Sequence, residues 1–207
     1  MTTAEDIERF VADLAAADAR ELFNQYAVEV PGRDRPGGAA IRCANLRRYL
    51  EPLVGAELAL IGEAPSAHGA RFSGIAFTSE ASLGPAWRTS VRSLEGRPLE
   101  EYSAVVLAGA LRGAGFDPAR VLLWNAVPFH PARRDDPMRN RHPRKGERQM
   151  GREWLDRFLD LMRPVTVAAV GAYAARALPG RPVLRHPAHG GRMKLEVGLT
   201  ALRHPSS

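Results

Sequence analysis

The sequence predicts an α/β fold: a three-layer α/β/α sandwich around a central, mainly parallel four-stranded sheet. Short apolar runs at 58–61, 121–123, 165–170 and 183–184 read as buried strands. Segments with helical spacing of apolar residues lie between them, so successive strands are joined by crossovers rather than tight hairpins. Three of the runs break at their carboxyl ends into Gly, Pro and polar residues: Gly62-Glu63-Ala64-Pro65, Trp124-Asn125-Ala126-Val127-Pro128 and Arg185-His186-Pro187. In an open parallel sheet such loops gather on one rim, where ligands bind. Phe77, Asn125 and His186 are therefore expected to converge on one pocket, a set suited to gripping a planar heterocycle.

In chain order, residues 4–26 read as a helix, with Ile7, Phe10, Val11, Leu14 and then Leu22 and Phe23 at helical spacing. The turn-rich stretch 31–38 is expected to be exposed, either a loop over the site or a connector. A short helix over 45–53 precedes the first strand, and a long loop, 62–79, follows it. Ser79-Glu80 opens a further helix that Gly84-Pro85 interrupts. Residues 101–111 look helical and stop at Gly113 and Gly115. After the second strand comes a second long loop, 126–146. The clearest amphipathic helix is 147–162, where Gly151, Trp154, Leu155, Phe158, Leu159 and Met162 form one stripe and Pro164 follows the end. Gly171 starts a short helix to Leu178, and a final helix is expected after Gly191. We expect a single domain over 1–207, with a helical segment over about 1–54.

Composition excludes several classes. At 45% hydrophobic and 25% charged residues the chain is ordinary for a globular protein, and no apolar run approaches the ~20 residues needed to span a bilayer. The polar, acidic start at 1–6 has no signal-peptide pattern. The lone Cys43 excludes an internal disulfide and any Cys-rich zinc or iron–sulfur site. A cytoplasmic protein without a membrane partner is the expectation. The formal charge of +6 favours a polyanionic partner. All basic residues except Lys145 and Lys194 are arginine, which also fits a coding bias, so clustering is more informative than net charge.

Each candidate residue has two readings. Phe77, in a Gly- and Ser-rich loop, is either a plug tying the loop to the core or a stacking platform for a base. The Asn125 amide offers a donor and an acceptor that match a pyrimidine edge, or it caps its own loop. His186 either bonds the loop backbone or supports an oxygen that gains negative charge in a transition state. The loop 133–148 holds Arg133, Arg134, Arg139, Arg141, Arg144, Lys145 and Arg148 against Asp135, Asp136 and Glu147, a cluster suited to phosphates. His130, His142, His186 and His189 match no standard metal spacing. No P-loop, no Gly-x-Gly-x-x-Gly after a strand and no Gly-x-Ser-x-Gly elbow is present.

Taken in order over about 58–192, these segments resemble the uracil-DNA glycosylase superfamily. Its first motif, Gly-x-x-Pro after a strand followed by a loop with a base-stacking Phe, is similar to Gly62-Glu63-Ala64-Pro65 and Phe77. The stretch from Arg71 through Phe72, Ser73, Gly74, Ile75 and Ala76 to Phe77 looks like the loop of the branch related to the iron–sulfur enzymes. The base-reading Asn at a strand end is matched by Asn125. The last motif, His-Pro before a loop that wedges into DNA, is matched by His186-Pro187 and His189-Gly190-Gly191.

The resemblance implies DNA as partner, uracil-containing and single or double stranded, a monomer, and no cofactor, since the four cluster cysteines are absent. It implies catalysis by His186 and Asn125, and base contacts from Gly62, Glu63, Ala64, Pro65, Phe77 and Asn125. DNA contacts are expected from Arg71, Arg139, Arg141, Arg144, His189 and Arg192. Ala64 and Ser66 stand where the most active branch has its water-activating Asp and thymine-excluding Tyr. Glu63, Ser66, His68 or a backbone-held water are the remaining groups for that step. Asn140, with His142 beside it, falls where another relative carries a covalently trapping His.

The implied activity is excision of uracil or a related deaminated base from DNA, the first step of base excision repair. The rival readings are a catalytically silent module that binds damaged DNA, and a hydrolase of free nucleosides.

Overall fold

A computed structural model describes residues 2–84, 87 and 100–203, without the side chains of 188–191, 193 and 203. Four apolar strands form the centre: β1 (Leu58–Gly62), β2 (Leu122–Asn125), β3 (Thr166–Val170) and β4 (Val183–Leu184). All pair in parallel in the order β2-β1-β3-β4. The strands β1 and β2 and nearly all of β3 are buried on both faces, as a parallel sheet between helices requires, while Val183 of the edge strand β4 is exposed. Ala59, Ile61, Leu122, Trp124, Val167 and Ala169 point into one core, shared with the helices α1 (Ala4–Ala16), α2 (Gly38–Leu50) and α5 (Lys145–Met162). Leu58, Leu60, Leu123, Ala168 and Val170 point into the other, shared with α4 (Tyr102–Gly113) and α7 (Pro187–Arg203). The three-layer sandwich is the expected one.

Register places the functional ends together. Gly62 pairs with Asn125 across β1 and β2, and the Ala126 N–H donates to the Gly62 carbonyl at 2.8 Å. On the other side of β1, Gly171 N–H donates to the Leu184 carbonyl at 2.8 Å, which sets the segment leaving β4 beside the end of β3. Gly151 of α5 packs against the chain leaving β2; a Cβ there would stand 2.5 Å from the Ala126 carbonyl oxygen.

Several element limits differ from expectation. The first helix ends at Ala16 rather than 26, because the buried Asn24 amide turns back and donates to the Leu14 and Ala17 carbonyls that a longer helix would have used. The second helix begins at Gly38, seven residues early, with Arg42, Asn45, Leu46 and Leu50 on its buried face. The stretch 31–38 is not uniformly exposed: Asp34 is buried beneath it, bonded by Arg42 and Arg71. Inside the long first loop sits a single turn, α3 (Ala70–Ser73). From Ser79 only one 3-10 turn forms, Glu80–Ser82, and the expected break at Pro85 lies outside the described residues. A shorter helix, α6 (Ala172–Ala175), follows Gly171. The last helix starts at Pro187, not after Gly191, so the backbone of 189–191 is helical rather than a free loop tip. Proline suits that first helical position, where its missing N–H is not needed.

Candidate functional site

The carboxyl rim holds a cleft of about 490 Å³. The three expected segments meet there, since Glu63, Ala64, Pro65, Phe77, Asn125 and His186 all line it. Gly62 is the floor between two of them. A Cβ on Gly62 would lie 2.5 Å from Phe77 Cζ and 2.7 Å from Asn125 Oδ1, so ring and amide both rest on its α-carbon. The Asn125 side chain is nearly buried, yet its amide makes no hydrogen bond among the described residues. Open to the cleft, this amide keeps a donor and an acceptor available to a ligand edge. His186 stands across the cleft beside Gly171, whose absent Cβ would be 3.3 Å from the His186 Cβ.

Phe77 has a left-handed backbone, φ 51°, which costs a non-glycine residue on the order of 1 kcal/mol or more. The surrounding loop holds it there. Ser73 Oγ donates to the Thr78 carbonyl at 2.7 Å and accepts from the Ile75 N–H at 3.0 Å. Asn45 Nδ2 donates to the Ser73 carbonyl at 3.1 Å, and the Tyr26 hydroxyl to the Gly74 carbonyl at 3.0 Å. Gly74 itself allows the turn, with φ +78° and no room for a Cβ against Arg42. The ring is half-buried: one side packs on the core under α4 and α7, and the residue also lines the cleft. The packing bears out the plug reading, and the same ring borders the cleft.

The basic loop is strapped over this site. Buried His130 directs Nδ1 to the Pro65 carbonyl at 2.8 Å and Nε2 to the Pro137 carbonyl at 3.1 Å. Burial holds its pKa below the ordinary histidine range. The Ala67 N–H donates to Asn140 Oδ1 at 2.8 Å. Farther along the wall, His142 Nδ1 bonds the Glu63 carboxylate at 2.9 Å, and its ring stacks on Tyr173 at 4.1 Å.

The expected DNA contacts divide. Arg71 is not one of them: it is fully buried, donates with both Nη atoms to the Asp34 carboxylate at 2.8 Å, and lies over the Phe72 and Phe23 rings. Its apolar neighbours in the sequence gave no sign of the buried acid that draws it inward. Arg141 lines the cleft, but its guanidinium is held by both Glu147 oxygens at 2.7 and 2.6 Å. Arg139, Arg144 and Arg192 are exposed, paired with Asp136, Glu21 and Glu196 respectively. The His189 side chain lies outside the described residues.

Sequence reasoning missed Glu101, Ser103 and Tyr173, which also line the cleft. Tyr173 was findable, because it follows the third strand as the other site residues follow theirs. Glu101 was not, because it opens a helix remote from every motif. Burial pushes its carboxyl up, and the adjacent Ser66 hydroxyl only partly opposes this. Among the described residues no group of three His, Cys, Asp or Glu side chains converges to hold a metal ion.

A family model described as the uracil DNA glycosylase superfamily matches residues 50–207, most of the chain. Among solved structures, wild-type SMUG2 of Pedobacter heparinus aligns with a TM-score of 0.69 over 98% of this chain and 97% of that one. The identity is 14%, so this likeness is one of fold. No curated protein sequence matches.

Proposed function

Since the chain belongs to the uracil DNA glycosylase superfamily, we propose that it excises uracil, or a related deaminated base, from DNA by hydrolysing the N-glycosidic bond. One observation carries this reading: a half-buried aromatic ring and an unpartnered amide share the Gly62 floor of a cleft that His186 faces. Ring and amide supply a stacking surface and an edge reader for one planar base.

The target nucleotide leaves the stack at a cost of roughly a few kcal/mol, least for a mispaired base. Phe77 stacks on it, and the Asn125 amide pairs with its polar edge. As the C1′–N1 bond breaks, the electron pair stays on the uracil ring and positive charge develops on the sugar. His186 donates to uracil O2; a donor of this kind contributes ~3–4 kcal/mol to the transition state.

Water then adds to C1′ and gives up a proton. Ala64 cannot take it, and Glu63 is engaged by His142. Glu101 remains the carboxyl of this cleft for that step, and its raised pKa favours accepting a proton. The products are free uracil and an abasic site.

The test uses labelled duplexes carrying one uracil opposite G or A, with alkali cleavage of abasic sites. A uracil-dependent cut is expected from the wild-type protein, with a loss of at least a hundredfold in the Asn125→Ala and His186→Ala proteins while both stay folded. Equal rates in both variants would sink the assignment. Tight DNA binding without any cut, on uracil or hypoxanthine, would instead point to a silent binding module.

A further inference from the structure

Beside the base cleft lies a second, smaller one of about 50 Å³, and the two share Glu63 and Tyr173 as a common wall. Three guanidinium side chains line it: Arg148 and Arg152, one turn apart on α5, and Arg176, just past α6. Their bonding differs from that of Arg139, Arg141, Arg144 and Arg192. Arg148 donates to the Pro143 carbonyl, and Arg152 Nη2 to the Arg176 carbonyl at 2.8 Å. The Arg176 guanidinium lies 5.0 Å from the Tyr173 ring centroid. None of the three forms an ion pair among the described residues, whereas Arg139, Arg141, Arg144 and Arg192 all do. The one carboxylate bordering the cleft, Glu63, is taken up by His142.

A carbonyl positions a guanidinium without cancelling its charge, whereas a carboxylate cancels it. Among the arginines that line the two clefts, Arg141 is therefore cancelled and this trio is not. Arg148 belongs to the loop 133–148 that sequence clustering singles out, whereas Arg133, Arg134 and Lys145 of that loop, also without an ion pair among the described residues, line neither cleft. We propose that Arg148, Arg152 and Arg176 form a phosphate-binding site that grips the DNA backbone next to the nucleotide held in the base cleft. The proposal rests on the reading of that neighbouring cleft as a base pocket. Three uncancelled charges abutting a heterocycle-sized cleft match a nucleotide strand, whose phosphates follow its bases at fixed spacing. Contacts of this kind fix register on the strand and carry the salt dependence of binding.

The experiment measures affinity for an undamaged and a uracil-bearing duplex across a salt series, for wild type, the Arg148→Ala/Arg152→Ala/Arg176→Ala triple variant, and an Arg120→Ala/Arg163→Ala control at the strands' amino ends. Each lost phosphate contact lowers the slope of log K against log salt by ~0.9. The triple variant is expected to lose about 2–3 units of slope and at least tenfold in affinity at low salt, with the control changed by less than one unit. Circular dichroism monitors folding, and the corresponding triple Lys variant separates charge from structure. Lysines retain the charge but not the planar carbonyl contacts, so recovery of the slope supports the phosphate site.

An unchanged slope in a folded triple Ala variant overturns the proposal and leaves uracil excision standing. The expected slope loss in a protein that binds but never cuts uracil upholds the phosphate site and removes the glycosylase reading. A wild-type protein without measurable DNA affinity overturns both.

Discussion

At Glu101, a side chain that no motif marks, the chemistry of the cleft and the stability of the fold meet. Burial raises its pKa above the ordinary 4.5, and the nearby Ser66 hydroxyl offsets this only in part. The native state therefore binds this proton more tightly than the unfolded chain does. Its contribution to stability is fullest below pH ~4.5 and falls as pH rises towards the folded-state pKa. The Glu101→Gln protein should lack that decline, which melting temperatures of both proteins between pH 4 and 8 would reveal. On the proposed mechanism the same substitution removes the proton acceptor, so uracil excision should drop by about 10²–10⁴-fold and lose the acidic limb of its pH–rate profile. A variant with wild-type rates would leave water activation to the backbone or to Ser66. Asn125 is the opposite kind of residue. Its place at the end of an apolar run was legible at once, and the register with Gly62 explains why that place matters.

Among the elements, the loop carrying Phe77 depends most on contacts distant in sequence. It is held from outside by Tyr26 and Asn45, and from below by the Arg71–Asp34–Arg42 network, in which all three side chains are 0–1% exposed. Burial alone would raise the Asp34 pKa, but the bidentate Arg71 pair, the Val30 N–H and Arg42 outweigh it and hold the carboxyl below its ordinary value. Asp34→Ala leaves two guanidinium groups buried without their acid, which should cost about 3–5 kcal/mol in urea unfolding. Excision by the surviving folded fraction should fall too, because Arg71 and the loop that carries it lose their tether. The network's stabilisation persists above the ordinary carboxylate range and is lost as pH falls through the depressed pKa. A change below 1 kcal/mol would show that the arginines find other partners.

Over the whole molecule, the parallel sheet sends every strand's carboxyl end to one rim and every amino end to the opposite face. Ligand contacts should follow that polarity. Hydrogen exchange with a uracil-bearing duplex in which cleavage is blocked should slow at 62–78, 125–142, 171–176 and 185–187. Residues 53–57 and 115–121, at the far end of the strands, should exchange as in the free protein. Protection at the far end instead would place DNA on the wrong face and remove both the base cleft and the arginine trio as contacts. No helix among the described residues is long and apolar enough to cross a membrane.

The sequence alone determined the strands, their order of appearance and the three motifs at their ends. Apolar runs, helical periodicity and Gly or Pro breaks are local properties that survive in a single chain read from end to end. It misjudged the first helix, the burial of Arg71 and the start of the last helix. The first two were settled by partners elsewhere in the chain, Asn24 folding back on Leu14 and Asp34 reaching Arg71, and the third by Pro187 taking the first helical position directly after the last strand. Charge was legible only as a count. Which arginines face a carboxylate and which face only a carbonyl is decided where separate segments meet, because cancellation of charge depends on distance in space and not on spacing along the chain.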